Sequence, residues 1–219
     1  MDTKRAALFL NGTWAEPDRL PLRPGRGDLI ACADGGADYA LKLGLAPDLL
    51  IGDMDSVSEF ALNSCREKGT ELMCFPADKD KSDMELALEQ LWQRGLTRIA
   101  LYGALGGRID HELTNLSVAA HFAGQGPQIT LVDDDCLGYL LHGPAKLELE
   151  GQPGETLSLV PLSTQVQGVN LSGVKWPLSA ATLYFGSSRA ISNQFAMSRV
   201  QIDLSCGDLL ATHFPKKHF

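Results

Sequence analysis

Along the first 135 residues, apolar and polar positions alternate between two periods. Short apolar runs at Ala6–Leu10, Leu29–Cys32, Leu49–Ile51, Glu71–Phe75, Arg98–Tyr102 and Ile129–Val132 predict strands. Between them, Ala37–Leu43, Glu59–Lys68, Asp83–Arg94 and Asp110–Phe122 carry helical spacing, and Gly44, Gly69 and Gly95 stop the first three. Ser82 is placed to cap the helix from Asp83, with Glu85 completing a capping box. Strands that alternate with helices predict a parallel sheet covered on both faces. Ligands of such sheets bind beyond the carboxyl ends of the strands.

The pattern changes after about Asp135. No amphipathic helix follows, only short runs at Leu137–Leu141, Ala145–Leu149, Thr156–Val160, Val166–Leu171, Thr182–Phe185, Gln194–Ser198 and Leu209–His213, punctuated by Gly, Pro and Ser. The expected fold is α/β: an N-terminal parallel-sheet α/β/α domain over 1–135, then a small C-terminal antiparallel β-sandwich over 136–219. Asp133-Asp134-Asp135 at the boundary reads as a solvated turn.

Length and composition narrow the function classes. With 219 residues, 44% of them hydrophobic, the chain can bury a core without disulfides or metals. The formal net charge of −8 argues against nucleic acid as a partner, since sequence-independent binding needs a basic face. It leaves nucleotides open, because a metal ion can bridge carboxylates to phosphates. The apolar run after Met1–Arg5 is too short for a signal peptide or membrane helix, and no later run could span a bilayer. Cys32, Cys65, Cys74, Cys136 and Cys206 form an odd set without a C-x-x-C pair, which points to a reduced, cytoplasmic setting. Several of them read as small core hydrophobes.

Polar signals gather where the sheet argument wants them. Asp34-Gly35-Gly36 follows the second strand, where glycines allow close backbone approach to a ligand and a helix N-terminus can receive phosphate; an ordinary tight turn fits equally. Asp53-Met54-Asp55-Ser56 follows the third strand. Its two carboxylates can converge on one cation such as Mg²⁺, or serve as an acidic loop in which Asp55 and Ser56 cap the next helix. Asp78-Lys79-Asp80-Lys81-Ser82-Asp83 mixes carboxylates suited to metal with lysines suited to phosphate. Gly106-Gly107-Arg108-Ile109-Asp110-His111 follows the fifth strand: Arg108 suits a phosphoryl group, Asp110 suits metal or proton work, and His111 suits hydrogen bonding. Walker, G-x-G-x-x-G, zinc-spaced and G-x-S-x-G motifs are all missing. Four such loops on one rim point jointly to a Mg²⁺-dependent polyphosphate site.

In order and spacing, Ala33–Ala37, Pro47-Asp48, Gly52–Ser56, Asp78–Asp83 and Gly106–His111 resemble the thiamine pyrophosphokinases. Gly173-Val-Lys-Trp-Pro-Leu178 and Ser192-Asn193 resemble the thiamine-side motifs of that family, so the likeness runs from about Ala6 to Leu210. The resemblance implies transfer of the β,γ-pyrophosphoryl unit of ATP to the hydroxyl of thiamine, with Mg²⁺ as cofactor. It also implies a homodimer in which the sandwich of one subunit completes the site of the other. Carried over by motif, Asp53, Asp55, Asp83, Asp110 and Arg108 form the catalytic set, with Asp53, Asp55 and Asp83 as metal ligands. Asp34, Gly35, Gly36, Ser56, Asp80, Lys81, His111 and Asn115 fall on the nucleotide side, and Trp176, Ser192 and Asn193 on the thiamine side. Two positions depart from the family pattern: Ser82 stands where threonine is common, and Arg189-Ala190-Ile191 lacks a glycine often found before Ser192.

Pyrophosphoryl transfer is chiefly positioning plus neutralisation of developing charge, and either Asp83 or Asp110 is suited to take the hydroxyl proton. An indole face such as Trp176 suits a cationic aromatic ring, although a core tryptophan fits the same position. Two rivals remain at this level: a pyrophosphokinase acting on a pterin alcohol, and a catalytically silent regulator that binds nucleotide or thiamine.

Overall fold

The computed structural model describes residues 4–12 and 20–216; residues 1–3, where the N-terminal reading began, lie outside these. The chain divides into two units, Met1–Val118 with Ile129–Asp134, and Ala119–Gln128 with Asp135–Phe219.

In the first unit, strands β1 (Arg5–Phe9), β2 (Leu29–Ala33), β3 (Leu49–Gly52), β4 (Glu71–Cys74) and β5 (Arg98–Tyr102) form a parallel sheet ordered β5-β1-β2-β3-β4. Strand β6 (Gln128–Val132) lies next to β5. Helices α1 (Gly36–Lys42), α2 (Glu59–Glu67), α3 (Asp83–Gln93) and α4 (Ile109–Ala123) follow β2 to β5 in turn. Near-continuous apolar strands such as Leu49–Ile51, fully buried, are what a sheet covered on both faces requires. Cys32 and Cys65 are buried as expected of small hydrophobes, whereas Cys74 and Cys206 are exposed.

Local capping fixes where the helices begin. Ser82 Oγ accepts the Glu85 N–H at 3.2 Å and starts α3. Helix α2 is capped by Ser58, which accepts the Ala61 N–H at 3.1 Å, so Asp55 and Ser56 are not its cap. At the crossing of α1 with β1, Gly36 is required sterically: a Cβ there would lie 2.1 Å from the Phe9 carbonyl oxygen.

The second unit holds antiparallel strands in two groups. One is ordered β12-β9-β14-β7, from β7 (Leu137–His142), β9 (Thr156–Pro161), β12 (Asn193–Gln194) and β14 (Asp208–Phe214). The other is ordered β11-β10-β13-β8, from β8 (Ala145–Glu150), β10 (Gln165–Ser172), β11 (Leu178–Tyr184) and β13 (Arg199–Leu204). Both feed one core that includes Leu157, Leu159, Val169, Phe195, Val200 and Ile202, which makes the unit a β-sandwich.

Two expectations shift. The run Gln194–Ser198 is a strand only at its first residue. After it the chain turns back, and the Ala196 and Met197 amides both donate to the Gly173 carbonyl. Strand β13 is absent from the sequence-based runs, yet Val200, Ile202 and Leu204 are buried between more exposed Arg199, Gln201 and Asp203. Among the described residues, no helix is long and apolar enough to cross a membrane.

Candidate active site

A cleft of about 450 Å³ opens in the first unit among the segments that follow its strands. Asn11 and Gly12 line it after β1, Asp34 after β2, and Asp53, Asp55 and Ser56 after β3. Ser82 and Asp83 join them at the start of α3, and Gly103–Arg108 after β5, with His111, Glu112 and Asn115 on α4.

The carboxylates converge because the backbone turns sharply. Met54, between Asp53 and Asp55, has φ 68°, and Asp34 has φ 43°. The Met54 N–H donates to Asp34 Oδ1 at 3.0 Å, and the Asp55 N–H to Asp53 Oδ1 at 3.1 Å. Gly52 allows this approach, since a Cβ on it would lie 1.9 Å from Asp34 Oδ1. One carboxylate oxygen each from Asp34, Asp53 and Asp55 lies within 4.8 Å of the other two. Burial, then the Asp83 hydrogen bond and charge, push the Asp34 pKa up to about 7, against the pull of the Met54 amide.

Lys79 answers part of this charge. Its Nζ lies 3.0 Å from Asp83 Oδ1 and 3.6 Å from Asp53 Oδ2. Burial alone would lower the Lys79 pKa; the Asp83 hydrogen bond and the charges of Asp83, Asp53 and Asp34 outweigh it and raise the value.

On the far rim the glycine loop is pinned by α4. Glu112 Oε1 accepts the amides of Gly106 at 2.9 Å and Gly107 at 2.8 Å, and Asn115 Nδ2 donates to the Ala104 carbonyl at 2.9 Å. Arg108 reaches Asp110 through Nε at 3.1 Å and Nη2 at 2.5 Å, and this pairing lowers the Asp110 pKa. Asp110 itself does not line the cleft, nor do Gly35, Gly36, Asp80 and Lys81. Gly35 and Gly36 pack instead against Asn11 and Phe9, and Lys81 pairs with Glu89 of α3.

In the sandwich, Trp176 is 54% exposed, so it is not a core tryptophan. The Lys175 ammonium lies 4.6 Å from its ring centroid. Asn193 is buried and grips the Trp176 backbone: Oδ1 accepts its N–H at 3.1 Å and Nδ2 donates to its carbonyl at 2.7 Å. Ser192 has φ 58°, and its N–H donates to Ser158 Oγ at 2.9 Å.

Residues 25–131 match the thiamin pyrophosphokinase catalytic domain, and residues 145–209 match the thiamin pyrophosphokinase vitamin B1 binding domain. Over 239 aligned residues the chain is 30% identical to thiamine pyrophosphokinase 1 of Arabidopsis thaliana, covering 98% of this chain and 88% of that protein. The chain belongs to the thiamine pyrophosphokinase family. A thiamin pyrophosphokinase family protein from Enterococcus faecalis superposes with a TM-score of 0.81 at 27% identity, over 98% of this chain and 100% of that one. The thiamine pyrophosphokinase of Bacillus subtilis shares the fold, with a TM-score of 0.83 at 24% identity, over 98% of this chain and 100% of that one.

Within this family frame, the cleft carboxylates fall in the matched catalytic domain, and Trp176, Ser192 and Asn193 in the matched vitamin B1 binding domain. The donor set suits a hard divalent cation, being three carboxylates, of which burial and then its acidic neighbours push Asp34 toward protonation until a cation offsets the charge. This grouping differs by one member from the ligand set expected by motif: Asp34 is in it, while Asp83 is taken up by Lys79. Lys79 was read from sequence, with Lys81, as a lysine suited to phosphate; the loop path turns it toward Asp83 and Asp53. Glu112 was not singled out. Glu112 carries no local signal, because its role depends on a loop five and six residues before it.

Proposed function

We propose that this chain is an ATP-dependent thiamine pyrophosphokinase, with the first unit binding ATP and Mg²⁺ and the sandwich binding thiamine. The observation that carries the reading is the three-carboxylate cleft beyond the ends of parallel strands, in a chain that also matches a vitamin B1 binding domain. Asp34, Asp53 and Asp55 would hold Mg²⁺, which when bound supplies charge neutralisation to the polyphosphate. Arg108 lines the cleft with a side chain 74% exposed, and exchanging its Asp110 pairing for phosphate oxygens would bring its charge to the polyphosphate. Ser56, His111 and Asn115 line the same cleft, where they would contact the nucleotide.

In the reaction, the thiamine hydroxyl oxygen bonds to the β-phosphorus, the bond from that phosphorus to the α,β-bridging oxygen breaks, and AMP leaves with that oxygen. Asp83 lines the cleft and Asp110 does not, so Asp83 is the better placed acceptor for the hydroxyl proton. The exposed Trp176 indole offers a face to a cationic aromatic ring, with Asn193 holding its backbone in place. The enzyme acts as a cytoplasmic homodimer with sites shared between subunits.

Chromatography of the nucleotide product tests the reading. Incubation with ATP, Mg²⁺ and thiamine is expected to yield AMP and thiamine diphosphate in equal amounts. ADP as the product overturns pyrophosphoryl transfer, AMP release with a pterin alcohol and not with thiamine reassigns the substrate, and no turnover leaves the regulator reading.

A further inference from the structure

Among the described residues, the sandwich buries a titratable pair for which the proposed chemistry has no use. Glu155 and His213, 58 residues apart, each keep only 4% of their surface, and Glu155 Oε2 lies 2.8 Å from His213 Nε2. A buried carboxylate is costly unless its oxygens are fully partnered. Here Oε1 also accepts the Lys216 amide at 2.8 Å, and Oε2 the Gln152 amide at 2.9 Å.

These contacts converge on the residues around β12. The Phe195 ring stacks on the His213 ring, with centroids 4.7 Å apart and planes at 29°. The Phe195 N–H donates to the Glu155 carbonyl at 2.9 Å, and its own carbonyl accepts the Gly154 N–H at 2.8 Å. Two residues earlier, Asn193 holds both polar groups of the Trp176 backbone. The Lys175 amide donates to the Gln194 carbonyl at 2.9 Å. Trp176 is more than half exposed, so these backbone ties, rather than packing of its ring, set where it stands.

We infer that Glu155 and His213 are positioning residues for the thiamine subsite, fixing Phe195 and, through Phe195 and Asn193, the stance of Trp176. An apolar pair would fill the same volume. The hydrogen bond adds direction, because Nε2 must face Oε2, and this orients the ring plane on which Phe195 lies. The inference rests on the assignment of Trp176 to thiamine made above.

The test compares wild type with Glu155→Gln, His213→Leu, His213→Gln and Phe195→Leu. Thiamine binding is read by calorimetry, and KM is read separately for thiamine and ATP. Wild type must first bind thiamine; if it does not, the functional reading fails and the variants are not at issue. With binding established, Glu155→Gln and His213→Leu are expected to weaken thiamine about tenfold, or about 1.4 kcal/mol. KM for ATP should stay within about twofold of wild type, since the ATP cleft lies wholly in the first unit. His213→Gln, which can still donate to Glu155, should recover part of the loss. If Glu155→Gln or His213→Leu is not recovered folded, Phe195→Leu breaks the same link while leaving the pair intact, and should also weaken thiamine selectively. Folded variants with unchanged thiamine affinity, or with equal losses toward ATP and thiamine, overturn the inference.

Discussion

Lys79 Nζ, in the loop before α3, lies 3.0 Å from Oδ1 of Asp83, the first residue of that helix, and leans toward Asp53 at 3.6 Å. The lysine is therefore a built-in counter-ion at the edge of the three-carboxylate cluster. A divalent cation drawn to those carboxylates meets a positive charge that is already there. Lys79→Met should tighten Mg²⁺ binding to the nucleotide-free protein by about fivefold, close to 1 kcal/mol for a largely screened pair of charges. Calorimetric titration with Mg²⁺ reads this directly, and weaker binding in the variant would show that Lys79 supports the ion instead of competing with it.

The carboxylate grouping separates two ligand sets. If Asp34 belongs with Asp53 and Asp55, Asp34→Asn should weaken Mg²⁺ binding about tenfold, a typical cost of disturbing a metal site. Asp83→Asn should change Mg²⁺ binding much less, since Asp83 is engaged by Lys79. Turnover in Asp53→Asn should fall by about 2.7–4 kcal/mol, as for other lost charge stabilisers. A larger loss of Mg²⁺ affinity in Asp83→Asn than in Asp34→Asn would restore Asp83 to the ligand set.

How far the sequence revealed this site follows from physical range. Each acidic loop lies just after an apolar run, so its place on the rim was legible from the alternation of strands and helices. The Ser82 cap was legible too, because its partner is the amide three residues on. The pairing of Asp53 with Asp55 was legible from their spacing, but Asp34 was not legible as their partner: it joins them through the positive φ of Asp34 and Met54. Asn193 was singled out as a thiamine contact, yet its side chain is engaged with the backbone of Trp176, 17 residues away, a partner no local pattern announces. The 58-residue span between Glu155 and His213 hid that pair in the same way. Strand β13 is a different case, since its alternation was present and only the neighbouring Ser and Gly punctuation obscured it.

Glu155 also makes stability depend on acid. Burial would raise its pKa, but the Lys216 and Gln152 amides and then His213 outweigh burial and lower it. A carboxyl whose folded pKa lies below its unfolded value of about 4.3 contributes fully above that value, and the contribution is lost as pH falls through the folded pKa. Glu155→Gln must set an NH₂ group against one of the amides or the ring, costing about 1–3 kcal/mol at pH 7. Urea midpoints at pH 7 and at progressively lower pH should show the gap between wild type and variant closing below about pH 4. A gap that stays constant down to pH 3 would mean that the carboxylate charge contributes nothing.

The final prediction concerns the division of labour between subunits. The carboxylates and the exposed Trp176 lie in different units of the chain. The family resemblance implies a two-fold dimer in which each site takes its acidic half from one subunit and its thiamine half from the other. Asp53→Asn damages one half and Trp176→Ala the other, so each homodimer should be nearly inactive. In a co-folded mixture with shared sites, a mixed dimer holds one site damaged twice and one site intact. Random pairing makes half the dimers mixed, each with one good site of two, so activity should recover to about a quarter of wild type. Each variant alone must remain dimeric by size-exclusion chromatography with light scattering for the comparison to count. If the co-folded mixture recovers no activity, both halves of the site come from one chain, and the shared-site arrangement is wrong.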